Sequence, residues 1–382
     1  MNSPAPVMGV ETDNSRVQSL IQTTARILLD NGATVNPNLT ICESDGHLSV
    51  HYPRDASGET LFVIPQELLI PTSEIIWGVA TDTRTGKPII TIDSAQSLTT
   101  VQRELLNLYV DLYNTLNKFE WFLTEHPRSA LFEYPDVESL FMKCEPNFSR
   151  GHNVEDFLAT RTLGYRDKSA DSEAQTKRPV LMPLADLINH HKRGAAFDTG
   201  NGALTILAVK GDGTSECFVS YGGQRDALQM YSHYGFADNS CTTATSTPAT
   251  ITLAGHSSQD LGTLVIERKH IIGHLPLVTS SGTTLTLNKA TFTPKNLDRF
   301  NASFTLPVKS FALQHGASIT LADQIAQKAA RDLIEFNQQQ LGELLETVVA
   351  LETEQEVINE LEVALRVQLR TLDKFSQHQF AE

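Results

Sequence analysis

Three segments of the chain carry side chains whose types and spacing suit a binding or catalytic site. The first, FLATRTLGYR, holds Arg161. The second, LADLINHH, closes an apolar run on Asn189, His190 and His191. The third, SYGGQRDALQMYSHYGF, sets Tyr221 and Tyr234 thirteen positions apart, with Gly222 and Gly235 directly after them. The histidine pair invites a metal, but no third ligand stands near it in sequence, so no metal is expected. Each residue also has an ordinary role when read alone: Asn189 at a turn or helix end, Arg161 on a helix surface, each tyrosine closing an element on a glycine. The commoner chemistries lack their anchors. Gly86-Lys87 has no upstream glycine and precedes a proline, which excludes a phosphate loop. Gly200-Asn201-Gly202 lacks the third glycine of a dinucleotide fingerprint. H-E-x-x-H and G-x-S-x-G are absent.

Read together, PLADLINH followed by SYG and YGF resembles the core signature of the SET-domain methyltransferases. It most resembles the branch that includes the RuBisCO large-subunit lysine methyltransferase and the actin histidine methyltransferase. The resemblance is strong over Pro183–Phe236 and diffuse along nearly all of the rest. It implies an α+β chain: a SET fold of small β-sheets with a knotted C-terminal core, carrying a helical insert and followed by a mainly α-helical domain. It implies methyl transfer from S-adenosylmethionine to a side-chain nitrogen of a protein substrate, with lysine expected as acceptor. By the same resemblance Arg161 meets the cofactor carboxylate, and Asn189 with the backbone around Asp45, Gly46 and His47 meets its ammonium. The backbone of His190 serves the adenine. Tyr221 and Tyr234 are the catalytic pair, Tyr221 also touching the cofactor. The chain departs from the family pattern twice. The first cofactor loop reads Gly46-His47-Leu48, without its second glycine, and Asp226-Ala227-Leu228-Gln229 replaces the usual Ser-Asn-Ala-Glu. Two alternatives stay open: a SET-like binding module without catalysis, and methylation of histidine. The tyrosine at 234 favours lysine, because the actin-histidine branch has no tyrosine there.

Methyl transfer to an amine asks for alignment and for an unprotonated nitrogen. A free lysine has a pKa of about 10.4. An apolar channel and a neighbouring sulfonium both lower it, so no strong base is required.

The elements that would carry these residues are legible in the periodicity. Val17, Leu20, Ile21, Ala25 and Leu28 recur as on a helix from Arg16 to Asn31. Residues 39–70 alternate and break at Asp45-Gly46 and Ser57-Gly58, which reads as short strands. Helical spacing returns from Ser97 to about Asn147 and again over Val154–Leu163. The polar segment Arg166–Arg178 reads as a mobile loop. Strand-like pieces run from Thr245 to Ser310, and Leu321–Phe375 is patterned as helices with a break near Thr353–Gln355. The domain reading is 1–245 for the SET part, with the insert at about 71–155. Residues 246–382 form a C-terminal substrate-binding-like domain, mostly helical after about 318.

Composition narrows the partners. The 382 residues carry a formal net charge of -15 with no long basic run, so nucleic acid is not expected. Four scattered cysteines without a C-x-x-C pair fit a reducing compartment. MNSPAPVMGVETDNS has neither a basic start nor an apolar core, and EIIWGVA is too short to span a bilayer. A cytoplasmic monomer with no membrane contact is the expectation.

Overall fold

The computed structural model describes residues 7–53, 58–166, 177–211, 214–222, 225–254, 260–269 and 276–380. The expected loop at 166–178 falls almost wholly outside these residues. The chain is mixed α and β, with many small sheets and a helical C-terminal region. It forms two compact units, Met1–Thr124 with Gly151–Gly223, and Glu125–Arg150 with Gln224–Glu382. The units thus divide the chain elsewhere than at residue 245. Residues 125–150 and the helix bearing Tyr234 both belong to the second.

In the first unit the helix Ser15–Asp30 starts at Asn14, whose side chain accepts from the backbone N–H groups of Arg16 and Val17. Its buried stripe is Val17, Leu20, Ile21, Ala25 and Leu28, as the spacing predicts. Three-stranded sheets follow. Gly9–Glu11 lies parallel to Thr40–Ser44, which pairs antiparallel with His47–His51. Thr60–Pro65 lies between Thr34–Val35 and Ala203–Leu207. Arg178–Leu181 lies between Ile70–Pro71 and Leu163–Tyr165. Where a helical insert from about residue 71 is expected, residues 76–94 form a two-stranded hairpin, Ile76–Thr81 against Pro88–Ser94. Helices begin at Thr100, where Thr99 and Gln102 form a reciprocal capping box.

The strand that matters most for the site is Asn189–Ala195. It pairs in parallel with Phe218–Val219, so Asn189 faces Phe218 and His190 faces Val219. The pairing is tight at Gly194: a Cβ there would lie 2.6 Å from the Val219 carbonyl carbon and 2.8 Å from the Phe218 carbonyl oxygen. Gly194→Ala is therefore expected to push these backbones apart and cost about 1–3 kcal/mol, the usual range for overpacking. Urea unfolding measures this, and an unchanged midpoint would show that the strands need not approach so closely.

The second unit carries a four-stranded sheet in the order Ala249–Ala254, Asp260–Ile266, Thr284–Leu287, Val278–Ser281. The strands end at Phe292 rather than near Ser310; helical structure starts at Leu297 and continues through Gln314. Two long helices, Ile319–Val349 and Glu356–Gln379, close the chain and break at 350–355, where the sequence predicts it. Phe292, Phe300, Phe304 and Phe375 stack into their core.

Candidate active site

The apolar run that precedes Asn189 holds one charged residue, Asp186, and it is buried. A carboxylate there must be hydrogen-bonded. Tyr109 and Tyr113, one turn apart on the helix Thr100–Thr115, supply the donors: their hydroxyls reach Asp186 Oδ2 at 2.9 and 2.6 Å. Asp186 Oδ1 is buried and receives no hydrogen bond. Burial pushes Asp186 up, against the Tyr113 hydrogen bond, the Arg161 charge and the Tyr109 hydrogen bond. Leu184, just before, has φ of 65° although it carries a buried branched side chain. Such strain is held only where packing dictates it.

Arg161 lies in the turn between the helix Val154–Ala159 and the strand Leu163–Tyr165. Its backbone N–H donates to Leu158 O at 2.8 Å. The guanidinium carbon sits 5.3 Å from the centre of the Tyr113 ring and 5.9 Å from that of Phe157. Burial opposes its charge, but Tyr113, Tyr109, Tyr221 and Asp186 outweigh this and hold its pKa above that of ordinary arginine. Its Nε is buried and donates to no group. The site thus holds a permanent cation with unspent donor capacity.

Asn189 is exposed and anchored through its nitrogen. Nδ2 donates to Leu48 O at 3.1 Å and to Glu216 Oε1 at 2.8 Å. His190 Nδ1 accepts from the backbone N–H of Tyr221 at 3.0 Å, which places the ring proton of a neutral His190 on Nε2. The Tyr221 hydroxyl donates to Ile188 O at 2.8 Å. Two parallel strands and four side-chain bonds thus hold Leu48, Ile188, Asn189, His190, Glu216 and Tyr221 together, with Tyr221 within electrostatic reach of Arg161. Asp45 and Gly46 form the tip of the hairpin Thr40–His51, and His47 opens its second strand. Asp45 and Gly46 have φ of 51° and 79°, which a tight two-residue turn demands. The carbonyl of that hairpin that Asn189 reaches is Leu48, next to His47.

Tyr234 belongs to the second unit, at the end of the helix Ala227–Tyr234, which stops on Gly235 in the left-handed conformation. Its ring lies beneath Arg225, 5.1 Å from the guanidinium carbon, and stacks on Phe236. His191 packs on Phe218. No cluster of three metal-ligating side chains occurs among the described residues. No described helix is long and apolar enough to cross a membrane.

Asp186 and Glu216 carry no role in the sequence reading. Asp186 leaves a trace there, as the lone charge of an apolar run. Glu216 leaves none, because its link to Asn189 exists only through strand pairing.

No protein-family model matches the chain, and no curated protein does. Among solved structures it is similar to the crystal structure of the SET domain of LSMT bound to lysine and AdoHcy. The two share 12% identity at a TM-score of 0.39, over 94% of this chain and 91% of that one.

Proposed function

We propose that the chain is an S-adenosylmethionine-dependent protein methyltransferase of the SET-domain class that acts on lysine. The observation that carries the reading is the gathering of Arg161, Asn189, His190 and Tyr221 in one unit, in the order the signature requires. An amino-acid head group has a carboxylate and an ammonium. Arg161, a half-buried residue, offers the first a guanidinium cation. Asn189 offers the second its exposed side-chain oxygen, which accepts no hydrogen bond among the described residues. The cofactor, when bound, supplies an activated methyl on a sulfonium centre.

The rest is done by the chain. The hydroxyl of Tyr221 gives its proton to Ile188 O, so its oxygen presents lone pairs to an amine N–H. That orients a lysine nitrogen, with its own lone pair left for attack. Tyr234 is assigned as the partner tyrosine on the strength of its place in YGF. The protein substrate is assigned to the acidic helices of the second unit, where Glu335, Glu343 and Glu346 are exposed. Lysine-reversed variants of these three are expected to raise KM for the protein substrate and leave cofactor affinity intact. A KM equal to that of wild type would remove the helices from docking.

Calorimetry with S-adenosylhomocysteine tests the reading. Wild-type protein is expected to bind. Arg161→Ala and Asn189→Ala are expected to weaken binding about tenfold or more, since a charged hydrogen bond contributes about 1.5–3 kcal/mol. Both should keep their cooperative unfolding. Wild-type protein that gives no heat would favour a binding module without catalysis.

A further inference from the structure

Asn189 is useful to a cation only if its amide is held the right way round. An asparagine amide presents an oxygen on one side and an NH2 on the other, and rotation by half a turn about the last bond exchanges them. The NH2 end repels an ammonium; the oxygen attracts it. The direction is set here by what Nδ2 meets. Its two partners, the Leu48 carbonyl and the Glu216 carboxylate, are both acceptors without a proton to give. A flipped amide would turn its oxygen toward both. The carboxylate is the stronger of the two, at 2.8 Å against 3.1 Å, and carries the charge.

Glu216 is itself well placed for this task. It forms an antiparallel bridge to His51 at the end of the strand His47–His51, and its N–H donates to Thr214 Oγ1 at 2.8 Å. Two residues later Phe218 is the register partner of Asn189. One short segment therefore joins the hairpin that provides Leu48 to the strand that provides Asn189. The Glu216 charge is also felt by its neighbours: burial, then Glu11, then Glu216 push the Cys42 thiol up to about 11.

We infer that Glu216 is a positioning residue that locks the Asn189 amide with Oδ1 outward, so that the site selects a ligand with a cationic amino group. The inference rests on the cofactor reading above. Its test compares two ligands, S-adenosylhomocysteine and 5′-methylthioadenosine, which lacks the amino-acid head. Glu216→Ala is expected to lose about tenfold in affinity for the first and nothing for the second. Glu216→Gln, which keeps an acceptor, should recover part of the loss. The double variant with Asn189→Ala should bind no more weakly than Asn189→Ala alone, because Glu216 acts through that side chain. In the ligand-free protein, the Asn189 side-chain NH2 resonances, assigned by their loss in Asn189→Ala, should shift in Glu216→Ala. Equal losses for both ligands, fully additive losses, or unmoved amide resonances would overturn the role of Glu216 while wild-type protein still binds. Wild-type protein that binds neither ligand overturns the cofactor reading, and the role of Glu216 with it.

Discussion

Tyr221→Phe is expected to lower kcat by about two to three orders of magnitude while S-adenosylhomocysteine still binds. The hydroxyl is the only group removed. Its bond to Ile188 O goes with it, but the contact that ties this residue to His190 uses the Tyr221 backbone N–H and survives. The loss of one neutral hydrogen bond costs about 1 kcal/mol of stability, which a folded protein tolerates. An oriented group that acts only in the transition state contributes about 2.7–4 kcal/mol to the barrier. The two effects therefore separate: a small shift in unfolding midpoint, a large fall in single-turnover rate, and an unchanged dissociation constant. A variant with near-normal turnover would remove Tyr221 from the mechanism.

The second large effect is expected far from the chemistry. Arg268 is buried and points its guanidinium at Glu145, at Asp226 (3.1 Å from its Oδ2), and at the carbonyls of Thr245 and Ser246. All three charged side chains are almost wholly excluded from water. Asp226 meanwhile caps the helix Ala227–Tyr234: its Oδ1 accepts from Gln229 N at 2.9 Å, and its own N–H donates back to Gln229 Oε1. Its Oδ2 also accepts from Thr245 N at 2.9 Å. Arg268→Ala takes the buried counter-charge from two carboxylates and a donor from two carbonyls. Removing one partner from such a buried group typically costs about 3–5 kcal/mol. Against a usual total of about 5–15 kcal/mol, that is enough to loosen the whole second unit.

The pH dependence of that loss has a definite sign. Burial already pushes Glu145 up, with the Arg268 charge pulling it down. Without Arg268 the raised value rises further above the unfolded value of about 4.3. A carboxyl raised on folding favours the folded state in acid and loses that advantage as pH climbs through its folded pKa. The deficit of Arg268→Ala is therefore expected to be smallest in acid and full near neutrality. Urea titrations at the two pH values measure it, and a deficit that does not change with pH would mean that Glu145 finds another partner.

These two residues mark the limits of what the sequence reveals. The role proposed for Tyr221 comes from a short motif whose parts are local. The helix over 15–30 and the break at 350–355 are legible for a similar reason, since periodicity and its interruption are local signals. Arg268 sits in a Thr- and Ser-rich stretch with no motif, and its partners lie 123 and 42 residues away in sequence. Nothing local encodes that meeting. The hairpin Ile76–Ser94 is obscured differently: its apolar residues are short runs that suit a strand or a helix alike, and the turn TDTRTGK alone marks it. The positive φ of Leu184 has no signature in residue type.

The proposed activity is the transfer of a methyl group onto lysine. Its most direct test is incubation of the purified protein with methyl-labelled S-adenosylmethionine and a cell extract, followed by acid hydrolysis of the labelled protein and amino-acid analysis. Label is expected in methyl-lysine, and absent when Tyr221→Phe replaces the wild type. Label recovered solely as 3-methylhistidine would contradict the choice of acceptor, and no labelled protein at all would contradict the methyltransferase itself.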